Sequence, residues 1–194
     1  MPASRCFVSP LVLASLLVTT ACGKTEAAPV DHPPVSLDEA QAGTVARFVG
    51  TWQHSGGDED REGSLAAVST VTEQMNGLIA GMAQSKLEHA VRIDGTLEIR
   101  EAEGIVTIVR SERPQPFVAP ANGATFLTVN EGGDEANGSL RIVGQDLVTL
   151  IETDSGGGER TYRIDEAGQL QIHTRIFSPR LPAEVVFVTR YARS

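Results

Sequence analysis

From residue 96 to its end the chain offers little except short β-branched runs and turns: "TLEIRE", "GIVTIVR", "TFLTVN", "SLRIV", "DLVTLIET", "ERTYRI", "QLQIHTRIF" and "EVVFVTRYA". Valine, isoleucine, threonine and aromatic residues at this density suit a pleated, half-buried strand. The connections Glu103-Gly104, Gly144-Gln145, Gly156-Gly157-Gly158 and Ala167-Gly168 are brief and carry glycine, which is how antiparallel neighbours are joined. None is long enough for a helical crossover, so the strands must follow one another as a meander. With "PFVA" at 116–119 and an opening strand through Phe48 to His54, the pattern predicts a mainly β fold. A sheet of about 8–10 such strands removes its exposed edges most simply by closing into an antiparallel up-and-down β-barrel.

Two helical segments interrupt this pattern. Ser36 followed by Glu39 has the spacing of a capping box, which predicts a short helix from Leu37 towards Arg47. After an acidic loop, residues 64–89 place Leu65, Val68, Thr72, Met75, Ile79 and Met82 on one face at helical spacing, so a helical segment is inserted after the first strand. Asn76-Gly77 and Gly81 weaken its middle, leaving either one bent helix or two shorter ones.

The N-terminus belongs to another category. "MPASRCFVSPLVLASLLVTTAC" has an early positive charge at Arg5, an apolar run from Phe7 to Val18 and then small residues, the pattern of a secretory signal over residues 1–21. The run falls short of the roughly 18–20 apolar residues that span a bilayer. Thr19-Thr20-Ala21-Cys22-Gly23 resembles the bacterial lipobox, which implies that Cys22 is acylated and anchors the chain to a membrane, with Gly23 resembling an outer-membrane address. Ordinary signal cleavage and an unmodified Cys22 are the alternatives. Cys6 leaves with the signal, so an unacylated Cys22 would be a lone thiol in an oxidising compartment. Residues 22–35 are too proline-rich and polar to pack and read as a tether, and residues 36–194 suit one domain. The formal charge of −9 disfavours nucleic acid and anionic lipid as electrostatic partners.

Reactive chemistry is sparse. His32, His54, His89 and His173 are scattered through tether, strand end, helix end and a late strand, without the pairing that metal sites need. His173 alternates with Gln171 and Arg175, opposite Leu170, Ile172, Thr174 and Ile176, which places it on the barrel exterior. Asp58-Glu59-Asp60-Arg61-Glu62-Gly63 has the opening of a calcium loop, but Ser69 stands where a bidentate glutamate would be. These acids read instead as residues preceding a helix that begins at Ser64, and "EGGDEANG" at 131–138 as a solvated hairpin loop. No nucleophile elbow, phosphate loop or dinucleotide fingerprint is present, so neither an enzyme nor a bound cofactor or metal is expected.

Phe48-Val49-Gly50-Thr51-Trp52 resembles the first strand of the calycins, the superfamily of lipocalins and fatty-acid-binding proteins. Gly50 and Trp52 fit the lipocalin G-x-W, the helical segment stands where the fatty-acid-binding proteins have their lid, and Thr189-Arg190-Tyr191 is similar to their closing T-R-x-Y. The resemblance implies a bacterial lipocalin-like lipoprotein of the cell envelope, facing the periplasm or the cell surface, that binds a small apolar or amphipathic ligand. It also implies that Trp52 lies at the closed end of the barrel under Arg190. That family places an arginine and a tyrosine two apart so that both point inward, whereas Arg190 and Tyr191 are adjacent and must face opposite ways. The candidate ligand contacts are therefore Tyr162, one of Arg190 and Tyr191, and a lid face made of Met75, Ile79 and Met82. The alternative is a barrel filled by its own side chains, serving as a non-enzymatic assembly or protein-interaction module.

Cys22→Ser is expected to move the protein from the membrane to the soluble fraction. Intact mass without acyl chains on the wild type, with unchanged partitioning of the variant, would refute the anchor.

Overall fold

A computed structural model describes residues 32–113, 115–130 and 132–194, so the signal, Cys22 and most of the tether lie outside the described residues. Helix α1 (Glu39–Phe48) leads into strand β1 (Gly50–His54), followed by helices α2 (Gly57–Thr72) and α3 (Gly77–Ala90). Nine strands complete the chain: β2 (Thr96–Ala102), β3 (Ile105–Arg110), β4 (Phe117–Pro120), β5 (Phe126–Val129), β6 (Glu135–Val143), β7 (Asp146–Thr153), β8 (Gly156–Ile164), β9 (Leu170–Phe177) and β10 (Val185–Arg193). All neighbours are antiparallel in the order β4-β3-β2-β1-β10-β9-β8-β7-β6-β5. The sheet is thus a meander whose first and last strands pair, a nearly closed barrel with its seam between β4 and β5.

Several boundaries differ from the sequence reading. The capping box of α1 is built two residues later than Ser36: the Asp38 carboxylate accepts from the Gln41 backbone N–H at 2.8 Å, and the Gln41 side chain accepts from that of Asp38 at 3.1 Å. Phe48 closes α1 rather than opening the strand. The region after β1 forms two helices, the first starting at Gly57 instead of Ser64, so Asp58, Glu59 and Asp60 sit in its first turn, where acidic side chains favour the helix dipole. Gly156, Gly157 and Gly158 are not a turn but the start of β8, and Asp154 and Ser155 make the reversal. The loop expected at 131–138 is shorter, because β6 already begins at Glu135; Asn130 Oδ1 accepts from the Gly132 and Asp134 backbone N–H groups.

One end of the barrel is plugged. Val45 and Phe48 of α1 pack into a core with Trp52, Leu97, Ile99 and Leu140. Trp52 is fully buried and its indole N–H donates to the Phe48 carbonyl at 2.9 Å. The cation over its ring is Arg193, 4.5 Å from the centroid, and not Arg190. Trp52 pairs with Arg193 in the β1–β10 register, which brings the two together, while Arg190 lies three residues earlier on the other face. Arg193 also donates to the carbonyls of Arg47 and Val49, satisfying groups that the end of α1 leaves without helical partners. Gly50 is held at φ 138°, and a Cβ there would crowd the Arg193 guanidinium, so this position is closed to other residues.

The chain enters this end across the seam. His32 Nε2 lies 3.1 Å from the Val118 carbonyl of β4 and its ring meets Phe126 of β5 edge-on at 4.6 Å. Val35 then donates to the Glu103 carbonyl at 2.9 Å, so close to the β2–β3 turn that a Cβ on Gly104 would overlap the Val35 carbonyl.

Helices α2 and α3 cover the other end. Val68 and Val71 of α2 join Leu87, Val91 and Val185 in a second cluster, with Ile176, Leu181 and Phe187 at its margin. The first turn of α2 is fixed by Asp60, whose side chain is 1% exposed. Its carboxylate accepts from the Arg190 backbone N–H at 2.6 Å and from Arg190 Nε at 2.9 Å, and lies 3.2 Å from His54 Nε2. Arg190 also reaches Glu59 at 2.9 Å; Glu59 and then Asp60 stabilise its charge and raise its pKa.

Trp52→Ala should cost about 3–5 kcal/mol in chemical denaturation, as other large-to-small core changes do. Native tryptophan emission should be blue-shifted and move red on unfolding. Asp60→Ala removes the acceptor of the part-buried Arg190 backbone N–H and should cost about 1–3 kcal/mol, whereas Asp60→Asn, which keeps an acceptor, should cost less in the same assay.

Candidate functional site

The alternation of strands decides what faces the interior. On β8 the inward residues, from the plugged end to the covered end, are Tyr162, Arg160 and Gly158. Tyr162 stands between Leu147 and Ile172, Arg160 between Thr149 and Thr174, and Gly158 between Ile151 and Ile176. The interior therefore grades from apolar, through a polar belt, to a space where β8 has no side chains.

The polar belt combines Arg160, Arg110, Asp94, Tyr162, Tyr191 and Thr189 around a void of about 30 Å³, close to the space of one water molecule. Asp94 is buried and accepts from the Glu112 backbone N–H at 3.0 Å. Burial, and then the neighbouring Asp94 carboxylate, hold the Tyr191 phenol well above its ordinary pKa. Tyr191 is thus a neutral hydroxyl, and its ring meets that of His54 at 5.5 Å.

Above the belt, beneath α3, lies a cavity of about 360 Å³, within the size range of small-molecule sites. Ala83, Lys86, Leu87 and Ala90 form its roof, and Ile151, Gly158, Arg160 and Ile176 line it from the barrel. Asn130, Ser155 and Leu181 border it at the rim. Arg160 borders both this cavity and the inner void. Among the described lining residues the ionisable side chains are Lys86 and Arg160, both cationic, in a chain whose net charge is −9.

Tyr162 and Tyr191 are brought together in the interior, and Tyr191 is the inward member of the adjacent pair, as the alternation requires. Arg190 instead ties β10 to α2. Met75, Ile79 and Met82 do not wall the cavity: Met75 is half-buried in the turn between the helices, while Ile79 and Met82 are 60% and 63% exposed. Of one bent helix or two shorter ones the chain forms two, and the break at 73–76 takes the second off the axis along which the stripe lines up, so the inward residues of α3 are Ala83, Leu87 and Ala90. Sequence reasoning also passed over Arg110, Asp94 and Arg160. Arg160-Thr161-Tyr162 carried a legible signal, an arginine and a tyrosine two apart on one strand and hence on one face. His173 is on the exterior, as its alternation indicated. Among the described residues no group of three or more His, Cys, Asp or Glu side chains is gathered as a metal site.

No protein-family model and no curated protein sequence matches the chain. Solved structures do. Lipid binding protein 8 of Caenorhabditis elegans in its apo form aligns with a TM-score of 0.50 at 12% identity, over 77% of this chain and 96% of that one. Zebrafish ileal bile acid-binding protein complexed with cholic acid aligns at 0.47 and 14% identity, over 76% and 99%. Fatty-acid-binding protein 1 of Echinococcus granulosus aligns at 0.46 and 13% identity, over 76% and 98%. The ten antiparallel strands in meander order with a helix–turn–helix after β1 share the fold of the first of these, the barrel that the calycin resemblance of the sequence implies.

Proposed function

We propose that the protein binds a small amphipathic anion in the cavity beneath α3, with the acidic group at Arg160 and the apolar body between α3 and strands β7 to β9. One observation carries this reading: a cavity of about 360 Å³ opens onto isoleucine, leucine and alanine side chains, and the charged groups among its described lining residues are cationic. The half-buried guanidinium of Arg160 is well suited to a carboxylate or phosphate, because its donors match those oxygens and hydrogen bonds between charged groups are the strong ones. The Tyr162 and Tyr191 hydroxyls and the threonines of the belt add polar groups next to Arg160. The named function of lipid binding protein 8 agrees with a lipophilic cargo for this barrel type.

The lipobox-like run before Cys22 supports a setting for this activity in the cell envelope. An acyl chain on Cys22 would hold the barrel at the outer membrane, facing the periplasm or the cell surface, where amphipathic anions derived from lipids are at hand. Stable anchoring needs more than one acyl chain, and the bacterial modification supplies two or three.

A second reading, a module that docks on another envelope component, is favoured by one feature. Leu78, Ile79 and Met82 on the outer side of α3 are 86%, 60% and 63% exposed. Both readings are compatible with one molecule, and they separate experimentally.

Titration with a fluorescent anionic amphiphile should give saturable binding that dodecanoate displaces. Arg160→Gln should weaken it about 10- to 100-fold, the loss of one hydrogen bond to a charged group, while Leu78→Ser leaves it unchanged. Absence of saturable binding to the wild type would leave the docking reading in place.

A further inference from the structure

The cavity owes its shape to a missing side chain. Gly158 occupies the inward rung of β8 directly above Arg160, between Ile151 on β7 and Ile176 on β9. A Cβ built on it would find only the Arg175 carbonyl oxygen, at 4.0 Å, so the backbone has no need of glycine at this position. Its neighbour Gly157 is different. A Cβ there would come within 2.6 Å of the Ile151 carbonyl oxygen and 2.8 Å of the Phe177 ring, so glycine at 157 is a requirement of the sheet. The glycine at 158 is therefore unexplained by packing, and the space it leaves belongs to the cavity. Gly156 at the rim is different again, because at φ 142° a Cβ on it would meet the Phe177 carbonyl oxygen at 2.5 Å, so it too is required by the backbone; across the cavity from Gly158, α3 offers Ala83 and Ala90, two small side chains. Leu87 between them and the two flanking isoleucines make the sides of this space apolar.

Resting on the binding reading above, we propose that Gly158 sets the width of the ligand. The space over Gly158 is a slot that accepts an unbranched alkyl or acyl chain, running outward from an anionic group at Arg160, and rejects amphiphiles whose body is a fused ring system. An apolar chain gains by lying against a bare backbone flanked by isoleucine, since it removes apolar surface from water on both sides. A wider body would have to displace Ile151 or Ile176, whose strands are fully paired there, or lift α3 away from Leu87. The single glycine thus makes the choice that in a uniformly lined cavity would be spread over many side chains.

The test uses the purified full-length chain and cis-parinarate, a straight-chain fluorescent carboxylate, with dodecanoate and cholate as competitors. Dodecanoate should displace the probe from the wild type and cholate should not. Gly158→Leu should weaken probe binding at least tenfold and Gly158→Ala by a few fold, with β-sheet circular dichroism and melting temperature retained in both. Should Gly158→Leu fail to fold, Gly158→Ala decides: its Cβ has room, so a folded Gly158→Ala that binds as the wild type does overturns the slot. Equal displacement by cholate and dodecanoate also overturns it while leaving the binding reading intact. A wild type that binds none of these anions removes the binding reading and the slot together.

Discussion

β1 to β4 and β5 to β10 are two meanders whose edges at β1 and β10 carry unpaired backbone groups until the first strand finds the last, and everything else in this molecule follows from how that junction is made. β1 is only five residues long, yet it pairs with β2 on one side and β10 on the other. Arg193 secures the junction from the end of the chain by covering Trp52 and donating to the carbonyls that close α1. One guanidinium therefore joins a helix terminus, an indole and the last strand. Such a contact is individually modest, about 0.5–2 kcal/mol for the cation–π component, but it fixes which residues of β10 face inward, and with them Tyr191 and Thr189.

Because β1 stops at His54, β10 extends past it, and α2 occupies the space. The Asp60 carboxylate takes over where β1 ends, accepting the Arg190 backbone N–H that a longer first strand could have used. The two ends of the barrel consequently have different physics. One is filled by Phe48, Trp52 and the aliphatic residues of β2 and β3. The other is covered by helices of unequal attachment, α2 with four buried residues besides Asp60 and α3 with Leu87 alone. The cavity lies under the less firmly held of the two.

Much of this fold was legible because its signals are local. Alternation, glycine-bearing turns and the absence of crossovers specify an antiparallel meander, and Trp52 with Gly50 marks its beginning. What was not legible depends on register and on helix breaks. Arg190 and Arg193 are equally good cations for Trp52 in sequence, and only the pairing of Trp52 with Arg193 decides between them. The apolar stripe from Leu65 to Met82 is real in projection, but it assumes one helix axis, and two helices divide it so that Ile79 and Met82 meet solvent. Three consecutive glycines read as a turn because turns are their commonest setting, whereas here one accommodates the Phe177 ring and another leaves room. Asp60 looked like one acid among several until the fold placed Arg190 and His54 beside it. None of the side chains singled out from the sequence lines the candidate cavity: Tyr162 and Tyr191 border the small polar void below it, and Arg160, two residues from Tyr162, borders both.

The seam between β4 and β5 has a mechanical meaning. His32 bridges it, Val35 is bonded to the β2–β3 turn, and the chain then enters α1, which plugs the barrel. Tension applied to the chain ahead of His32 would be borne in series by a ring contact, one backbone hydrogen bond and a packed helix before any strand pair felt it. The ladders of the sheet, which share load among many bonds, come after these, and the first things a pull would disturb are the His32 contacts at the seam and then the Val35 bond, ahead of the plug. A barrel held by its N-terminus could strain at its tether without deforming the chamber beneath α3.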